Sequence, residues 1–356
     1  MSEADRPLLL QEYRPVTQLK TTPHLLARAK RPAIEAHAHF GDLYCPLYSG
    51  SAWQPWTPER IDAMVDSLRG LGITRAVNLD GFWDGFLGIE LNRLFAMLRP
   101  WDDFFMHFVS VDTRAAGTPD FEQGVKDYLT RAKDLGARGI KLFKHLSLMT
   151  ERSPYEFVPG RGLLPDDARL SVIWDTAAEL ALPVLIHIAD PPAFFEPVDE
   201  RNERHLELKA HPDWAYHGSG TYTYDELMQA QVRLLGNHPN TRFIIPHVGS
   251  ASEDLAFVSN CMERFPNMHV DIAARIGELG KQPYTSRAFF ERFADRILFG
   301  TDAYPDVELT RRYPSYFRFL ETYDEGIANG ALIGIGLSDD ILEKVYTGNA
   351  RRILGA

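Results

Sequence analysis

The sequence contains little cysteine and no long apolar run. Only two cysteines, Cys45 and Cys261, occur in 356 residues, and they form no C-x-x-C pair, which argues against a disulfide framework and a cysteine-based zinc motif. No stretch approaches the roughly 18 apolar residues of a transmembrane helix. The N-terminus is acidic from the start and carries only a three-leucine run, so it does not resemble a signal peptide. These absences predict a cytoplasmic protein with no membrane partner.

An excess of positive charge is also absent. Lysine and arginine number 38 against 49 aspartates and glutamates, which gives a formal net charge of -11. A nucleic-acid surface needs clustered lysine and arginine, so nucleic acid is not an expected partner. The composition, 45% hydrophobic and 24% charged, is that of a globular protein. A chain of this length can bury a large core without disulfides.

Eight short apolar runs alternate with amphipathic stretches of helix length. One such stretch has Thr57 and Pro58 at its start and Gly70 and Gly72 at its end, which are helix start and stop signals. Strands that alternate with helices indicate a parallel sheet, and eight such units close a (β/α)8 TIM barrel. An open doubly wound sheet is less favoured, because no glycine fingerprint follows the first strand. The predicted strands lie at 33–40, 74–81, 104–112, 138–145, 183–190, 242–249, 267–275 and 296–303.

The predicted domain organisation is one TIM-barrel domain over residues 1–356. Residues 1–30 precede the first strand and are expected to pack outside the barrel. Two connections, at about 146–165 and 191–221, are longer than ordinary loops between strands and helices. Long loops at the C-terminal ends of barrel strands usually line or cover the active site, so these two are expected to shape a pocket.

Polar side chains stand where the predicted strands end. His37 and His39 close the first strand, His187 closes the fifth, His247 the sixth and Asp302 the eighth. Side chains two apart on a strand point to one face, and a barrel gathers its strand ends at one mouth. A lone histidine at a strand end is more often structural, but this combination predicts a metal site, since imidazole and carboxylate suit zinc, manganese or iron.

Six motifs together resemble those of the amidohydrolase superfamily, and within it the amidohydrolase-2 group. They are EAHAHF, GIKLF, LIHIAD, IIPHVG, ILFGTDAYP and VYTGNARRIL, and they span about residues 33–354. That group includes aminocarboxymuconate-semialdehyde decarboxylase, related aromatic-acid decarboxylases and lactone hydrolases. The resemblance implies that His37, His39, His187 and Asp302 bind one divalent metal ion, usually zinc. It also implies that His247 is the acid/base or water-orienting residue.

A lysine on the fourth strand leaves the number of metal ions open. Many members of the superfamily hold two metals bridged by a carboxylated lysine there, and Lys141 and Lys144 both lie in GIKLFKH. The amidohydrolase-2 group typically has one metal. The expected cofactor is therefore one ion, zinc with manganese or iron as alternatives. Lys141 is then a polar residue of the barrel mouth or interior and a candidate substrate contact.

Three further side chains are candidates for substrate binding. Arg275, at the end of the seventh strand, can pair with a substrate carboxylate, or it can form a salt bridge to a loop acid. Trp83 can supply a stacking wall after the second strand, or it can pack under its own loop. His217, in the long loop after the fifth strand, can donate a proton in the pocket or remain solvated.

Acids near the strand ends are candidates for holding the metal-binding histidines. A metal-bound histidine commonly hydrogen-bonds a carboxylate or carbonyl through its second ring nitrogen. Asp42, Asp80, Asp190 and Asp254 all stand close to a predicted strand end. The sequence alone does not select among them.

Three functions fit these residues. The preferred one is hydrolysis of a small-molecule ester, lactone or amide by a metal-activated water, with Asp302 as proton acceptor and His247 assisting. The second is metal-dependent non-oxidative decarboxylation of an aromatic or dienoic acid, in which Arg275 or Lys141 would face the carboxylate. The third is a non-catalytic barrel that binds a metal or ligand, which the intact set of ligands disfavours.

The expected partner is a small-molecule substrate, and a homodimer is a further prediction. The aromatic segment RRYPSYFRFLETY at 311–323 is a candidate interface. The same segment can instead pack a long helix onto the barrel.

Overall fold

The computed structural model describes residues 6–9, 12–16, 18, 20–47, 52–82, 90–153, 156–305, 309–327 and 332–355. Its main sheet has eight strands in the order β1-β2-β3-β4-β7-β8-β9-β10, and neighbouring strands pair in parallel. The strands are β1 Ala33–Ala38, β2 Ile73–Asn78, β3 Phe105–Val109, β4 Gly139–Leu142, β7 Val184–Ile186, β8 Phe243–Ile245, β9 Met268–Asp271 and β10 Ile297–Leu298. All eight predicted strands are present.

Backbone contacts join the first and last strands of this sheet. Ala38 forms a parallel bridge with Ala303, and the amide of Asp302 donates to the carbonyl of His37 at 2.8 Å. The sheet therefore closes on itself, and the predicted TIM barrel is confirmed. The closure also brings His37 and Asp302 together, although they lie far apart in the sequence.

Helices cover the outside of the barrel, as expected for a parallel sheet buried on both faces. The first begins as predicted: Thr57 is its N-cap and accepts a hydrogen bond from the Arg60 amide, and Pro58 is the first helical residue. The longer helices are Pro58–Gly70, Leu91–Leu98, Phe121–Leu135, Ser171–Glu179, Tyr224–Asn237, Leu255–Arg264, Pro283–Phe293 and Leu309–Glu321. Shorter ones are His145–Leu148, His205–Ala210, Ile276–Lys281, Asp339–Glu343 and Asn349–Leu354.

Buried apolar side chains fill the barrel interior. This inner cluster consists of Ile34, Ala36, Val77, Leu79, Met106, Phe108, Leu185, Ile244, Leu298, Ala350, Ile353 and Leu354. The last three come from the C-terminal helix, whose Ile353 carbonyl accepts a hydrogen bond from Arg242, just before β8. The C-terminal helix therefore closes the end of the barrel at which the strands begin, and the opposite end carries the candidate site.

Both long connections contain secondary structure. The first includes the antiparallel hairpin of β5, Met149–Ser153, and β6, Glu156–Pro159. The second holds the short helices Pro192–Phe195, His205–Ala210 and Pro212–Trp214. In the described part of the chain, no helix combines the length and apolar character needed to cross a membrane.

The aromatic segment at 311–323 packs against the barrel. Its Tyr313, Phe317 and Phe319 are fully buried within the chain and belong to the hydrophobic core outside the sheet. Of the two readings of this segment, the packed helix is therefore the one observed. The homodimer stays a prediction.

Candidate metal centre

Left-handed backbone turns follow three neighbouring strands at the mouth of the barrel. After β8, His247 has a φ of 56° and Val248 of 58°; after β9, Ala274 has 53°; and after β10, Asp302 has 60°. Non-glycine residues rarely adopt this conformation, and a β-branched residue such as Val248 does so at a cost. The strands thus end in sharp turns, and both His247 and Asp302 line the cavity at the mouth.

Two histidines of β1 and its end converge on the carboxylate of Asp302. Its Oδ1 lies 3.5 Å from Nε2 of His37 and 3.2 Å from Nε2 of His39. The other ring nitrogens are held by acids, with Nδ1 of His37 at 2.7 Å from Asp271 and Nδ1 of His39 at 2.8 Å from Asp80. A carboxylate at Nδ1 orients Nε2 toward a metal. The donor set therefore fits a divalent ion between His37, His39 and Asp302.

The electrostatics of the site favour a positive charge at the same point. Burial lowers the pKa of His39, but Asp80 and Asp302 outweigh burial and raise it to about 9. Burial raises the pKa of Asp302, but its hydrogen bond with His39 and the charges of both histidines bring it well below the usual value. At neutral pH a proton therefore resides on His39 between two carboxylates. A divalent cation can supply that charge in its place.

His247 stands beside this group as a neutral imidazole. Its Nδ1 donates to the carbonyl of Ala273 at 2.8 Å, so its Nε2 carries the lone pair. Burial, with the charge of Arg275 next in importance, holds the pKa of His247 well below its usual value. Its ring centroid lies 5.0 Å from that of His37 and 4.7 Å from that of His187. His247 can therefore accept a proton at Nε2.

Asp271 is a site residue that sequence reasoning missed. One oxygen accepts from the amides of His247 and Ala273, both at 3.0 Å, while the other contacts Nδ1 of His37. The side chain is completely buried. A single carboxylate thus sets the positions of two predicted site histidines. The sequence feature that could have identified Asp271 is the presence of an acid in the apolar strand MHVD.

His187 is placed beside the three converging residues rather than among them. Its Nε2 lies 3.1 Å from Oδ1 of Asp190. The second oxygen of Asp190 accepts from Lys144 at 2.9 Å and from the hydroxyl of Tyr216 at 2.7 Å. The donor atoms of His37, His39 and Asp302 lie within 4.8 Å of one another. The role of His187 as a fourth ligand stays a prediction.

A cavity of about 490 Å³ opens above these residues. Among the described residues, five cationic side chains line it, namely Lys141, Lys144, Arg204, Arg275 and Arg312, against the acids Asp190, Glu207 and Asp302. Its aromatic walls are Phe143, Phe194, Trp214 and Tyr304. Such a surface is suited to a small anion with a flat or apolar part. Sequence reasoning missed Arg204 and Arg312, which lie outside the strands and follow no strand pattern.

The cationic side chains that line the cavity differ in the partners that they already have. Arg204 pairs with Glu207 at 2.8 Å and with Glu278. Arg275 donates to the carbonyl of Ala274 at 2.8 Å, and among the described residues it has no acidic partner. The salt bridge considered for Arg275 is therefore absent from that part of the chain. Arg275 is available to an anionic ligand.

Lys141 lies in β4 and lines the same cavity, with only 1% of its surface exposed. Burial lowers its pKa to about 8 against the opposing charges of Asp302, Asp271 and Asp80. Its Nζ lies 5.1 Å from the centroid of the Phe143 ring. Lys141 is therefore placed to contact a ligand, and its part in holding a second metal stays a prediction.

Two further candidates remain, His217 and Trp83. His217 is exposed, and its Nδ1 lies 3.3 Å from the carbonyl of Phe195. Trp83 lies outside the described residues.

Comparisons with known proteins connect this geometry to a family. The profile of a family described as amidohydrolase matches residues 34–356, whereas no curated protein matches the chain at a significant level. The 2,6-dihydroxybenzoate decarboxylase from Rhizobium is 16% identical, with a TM-score of 0.55 over 91% of this chain and 99% of its own.

Two further solved structures have the same fold. A dihydroxybenzoic acid decarboxylase from Polaromonas sp. JS666, with bound manganese, is 16% identical, with a TM-score of 0.53 over 91% of this chain and 97% of its own. A probable 2-pyrone-4,6-dicarboxylic acid hydrolase from Acinetobacter baumannii is 12% identical, with a TM-score of 0.50 over 91% and 99%. At these identities the likeness shows the fold, and the reaction has to be argued from the site.

Proposed function

The chain belongs to the amidohydrolase family, whose catalysis is metal-dependent, and from this premise we propose that it hydrolyses a small-molecule ester, lactone or amide that carries a carboxylate. The observation that supports the proposal most is the convergence of His37 and His39 on Asp302, at 3.5 and 3.2 Å, beneath a cavity rich in cations.

His37, His39 and Asp302 would hold one divalent ion, with His187 as the proposed fourth ligand. Two or three imidazoles and a carboxylate suit zinc, and manganese is the alternative. When bound, such an ion polarises a carbonyl and makes a water molecule more acidic.

The protein's own side chains provide proton transfer. Asp302 is ionised at neutral pH, and 22% of its side chain is exposed. Its carboxylate can therefore accept a proton from the attacking water. His247, neutral and with its lone pair on Nε2, orients that water or passes the proton to the leaving group.

Other side chains bind and enclose the substrate. Arg275 offers a planar pair of donors to a carboxylate, and Lys141, which lines the same cavity, adds a second charge. Phe143, Trp214 and Tyr304 form walls that exclude water, which strengthens electrostatic interactions inside the site. The ring of Tyr304 stacks over that of His39, with centroids 5.4 Å apart.

Decarboxylation of an aromatic acid is the second candidate. Its support is the combination of aromatic walls with cationic side chains in one cavity, together with the decarboxylase activity named for two structures of the same fold. In this reaction Arg275 would face the carboxylate that leaves, and a protein acid would protonate the ring carbon.

Turnover assays on metal-loaded protein test both candidates. Lactones, esters and amides of small dicarboxylic acids are compared with their neutral methyl-ester analogues, and hydroxybenzoates are assayed for release of carbon dioxide. We expect hydrolysis of the carboxylate-bearing compounds. Release of carbon dioxide without any hydrolysis would replace the first candidate with the second.

Two variants connect the activity to the site. Arg275→Gln is expected to raise KM for carboxylate-bearing substrates by about tenfold or more, since a charge-assisted bond contributes about 1.5–3 kcal/mol. His247→Asn is expected to keep the metal and lower kcat about 10²- to 10⁴-fold. An unchanged rate in His247→Asn, or loss of its metal, would contradict the role assigned to His247.

A further inference from the structure

A second basic site lies at the opposite end of the barrel from the metal centre. A groove of about 450 Å³ is lined there by three arginines, Arg242, Arg296 and Arg352, and by His269. Arg242 directly precedes β8, Arg296 precedes β10, and Arg352 belongs to the C-terminal helix Asn349–Leu354. Three separate elements therefore bring positive charge to one place in a chain whose net charge is -11.

Hydrogen bonds to oxygens of the chain fix the three guanidinium groups. Arg242 donates to the carbonyls of Ile353 and Ala181, at 3.3 and 2.8 Å. Arg296 donates through Nη1 to the carbonyls of Met262 and Phe265, at 2.6 and 3.3 Å. Arg352 donates through Nη2 to Asn349 at 3.2 Å and to the carbonyl of Asp295.

In the described part of the chain, the anchoring bonds leave several N–H donors of Arg296 and Arg352 without a partner. An arginine has five N–H donors, and the bonds of Arg296 and Arg352 each involve a single terminal nitrogen. Nε and the other terminal nitrogen of both residues have no hydrogen-bond partner among the described residues. The groups are thus held in place while donors remain for a ligand.

His269 supplies an unsatisfied polar atom in the same groove. The residue is 4% exposed, and its Nδ1 is buried without a hydrogen-bond partner. Burial and the charges of Arg352 and Arg296 lower its pKa to about 4. The backbone groups of Phe243 and Asn267 partly offset this lowering of the pKa, but neither forms a regular hydrogen bond with Nδ1. Buried polar atoms are nearly always paired with protein, water or ligand, so Nδ1 has the capacity for a further partner.

The acid at the edge of the groove does not neutralise it. The carboxylate of Asp295 is paired with Lys344 at 2.9 Å. Among the described residues that line the groove, three arginines therefore face one acid, which already has a cationic partner. An anion is the ligand that this charge distribution favours.

We propose that the groove binds a small oxyanion of the phosphate class, either inorganic phosphate or the phosphate group of a small metabolite. Arginine recognises phosphate through paired N–H donors. Hydrogen phosphate also has an O–H and an O⁻, so Nδ1 of His269 can accept from it or, if protonated, donate to it. The site is separate from the catalytic cavity.

Calorimetric titration of the metal-loaded protein with inorganic phosphate tests the proposal. We expect binding that weakens at least tenfold in Arg296→Gln and in Arg352→Gln. Arg264→Gln is the matched control, because Arg264 stacks on Phe265 beside the groove without lining it. Arg275→Gln controls for phosphate at the catalytic cavity and should leave this binding unchanged.

A second titration with glycerol 3-phosphate separates the two sources of the phosphate group. Tighter binding of glycerol 3-phosphate identifies a phosphorylated metabolite, whereas equal or weaker binding identifies inorganic phosphate. His269→Phe keeps a ring of similar size, and it should weaken binding while the protein keeps its circular dichroism spectrum. Phosphate affinity that is unchanged in all three groove variants, or lost only in Arg275→Gln, would overturn the proposal.

Discussion

At the residue scale, the candidate site depends on carboxylates that orient imidazoles. Asp271 holds His37, Asp80 holds His39, and Asp190 contacts His187. Each acid is buried, so its hydrogen bond is little weakened by solvent. The histidines are therefore oriented before a metal arrives, which reduces the entropy lost on binding.

Removing one of these acids is expected to weaken metal binding. Asp271→Asn should lower metal affinity about 10- to 100-fold, the usual effect of losing such a partner. The amides of His247 and Ala273 would hold the Asn oxygen, so that its NH2 group replaces the carboxylate oxygen that accepts from His37. Competition with a chelator of known affinity measures the change. Asp175→Asn is the matched control, since Asp175 lies 3.1 Å from Nδ1 of His238 at the surface, and 65% of its side chain is exposed. Equal losses in both variants would show that Asp271 does not act through the metal site.

The proton on His39 makes metal uptake depend on pH. In the metal-free protein the pKa of His39 is raised to about 9, and a ligand histidine must be neutral. Below this pKa the metal displaces a proton, so its affinity should fall about tenfold for each pH unit lowered, between about pH 9 and 6. Chelator competition at several pH values measures the slope. An affinity independent of pH in this window would place the metal away from His39.

At the element scale, short strands place site residues at the mouth of the barrel. β10 is only Ile297–Leu298, and β7 is Val184–Ile186. Beyond these strands the chain turns at the mouth of the barrel, where the amides of Asp302 and His187 still donate to the carbonyls of His37 and Leu142 on neighbouring strands. Gly300 permits one such turn to pass close to β1, since a Cβ there would lie 2.8 Å from Cβ of His37.

Polar contacts hold the long connection after β7 in place beside the cavity. Arg204 links this connection to Glu278 of the helix Ile276–Lys281, and Tyr216 links it to Asp190. Both Arg204 and Trp214 line the cavity. The position of this wall therefore depends on an ion pair between two segments that are distant in sequence.

Weakening that ion pair is expected to affect substrate binding more than chemistry. Glu278→Gln should raise KM about three- to tenfold with a smaller change in kcat, since one partly buried ion pair is lost. Glu291→Gln, which removes a surface pair with Arg287, is the control. Steady-state kinetics with the best substrate found measures both constants. A large drop in kcat at unchanged KM would contradict a wall-positioning role.

The sequence predicted the eight strands and their ends but not the partners of the site residues. Alternation of apolar runs with helix signals is a local pattern, and so is a histidine at a strand end. The pairing of Asp271 with His37 depends on barrel closure, which no local pattern encodes. Likewise Arg204 and Arg312 lie in a loop and a helix, and only the folded chain brings them to the cavity. Asp80 and Asp190 were two of several candidate acids in the sequence. The structure shows that they contact His39 and His187.

At the scale of the whole molecule, the barrel has two different ends. One gathers the histidines, Asp302 and the cationic cavity. The other is closed by the C-terminal helix and carries the basic groove around His269. The cytoplasmic location and the homodimer stay predictions. A metal bound by His37 and Asp302 would link the first strand to the last, so it should stabilise the closed barrel by mass action.

Metal content per folded chain is the measurement that tests the central claim most directly. Elemental analysis of purified protein, before and after chelation and reconstitution, should give one zinc or manganese per chain. The ion should be lost from His37→Ala and Asp302→Ala variants that keep the fold, and retained in Asp175→Asn. Two ions per chain would indicate that Lys141, as a carboxylated lysine, bridges two metal ions. No ion in folded protein that resists reconstitution would contradict the metal centre assigned to His37, His39 and Asp302.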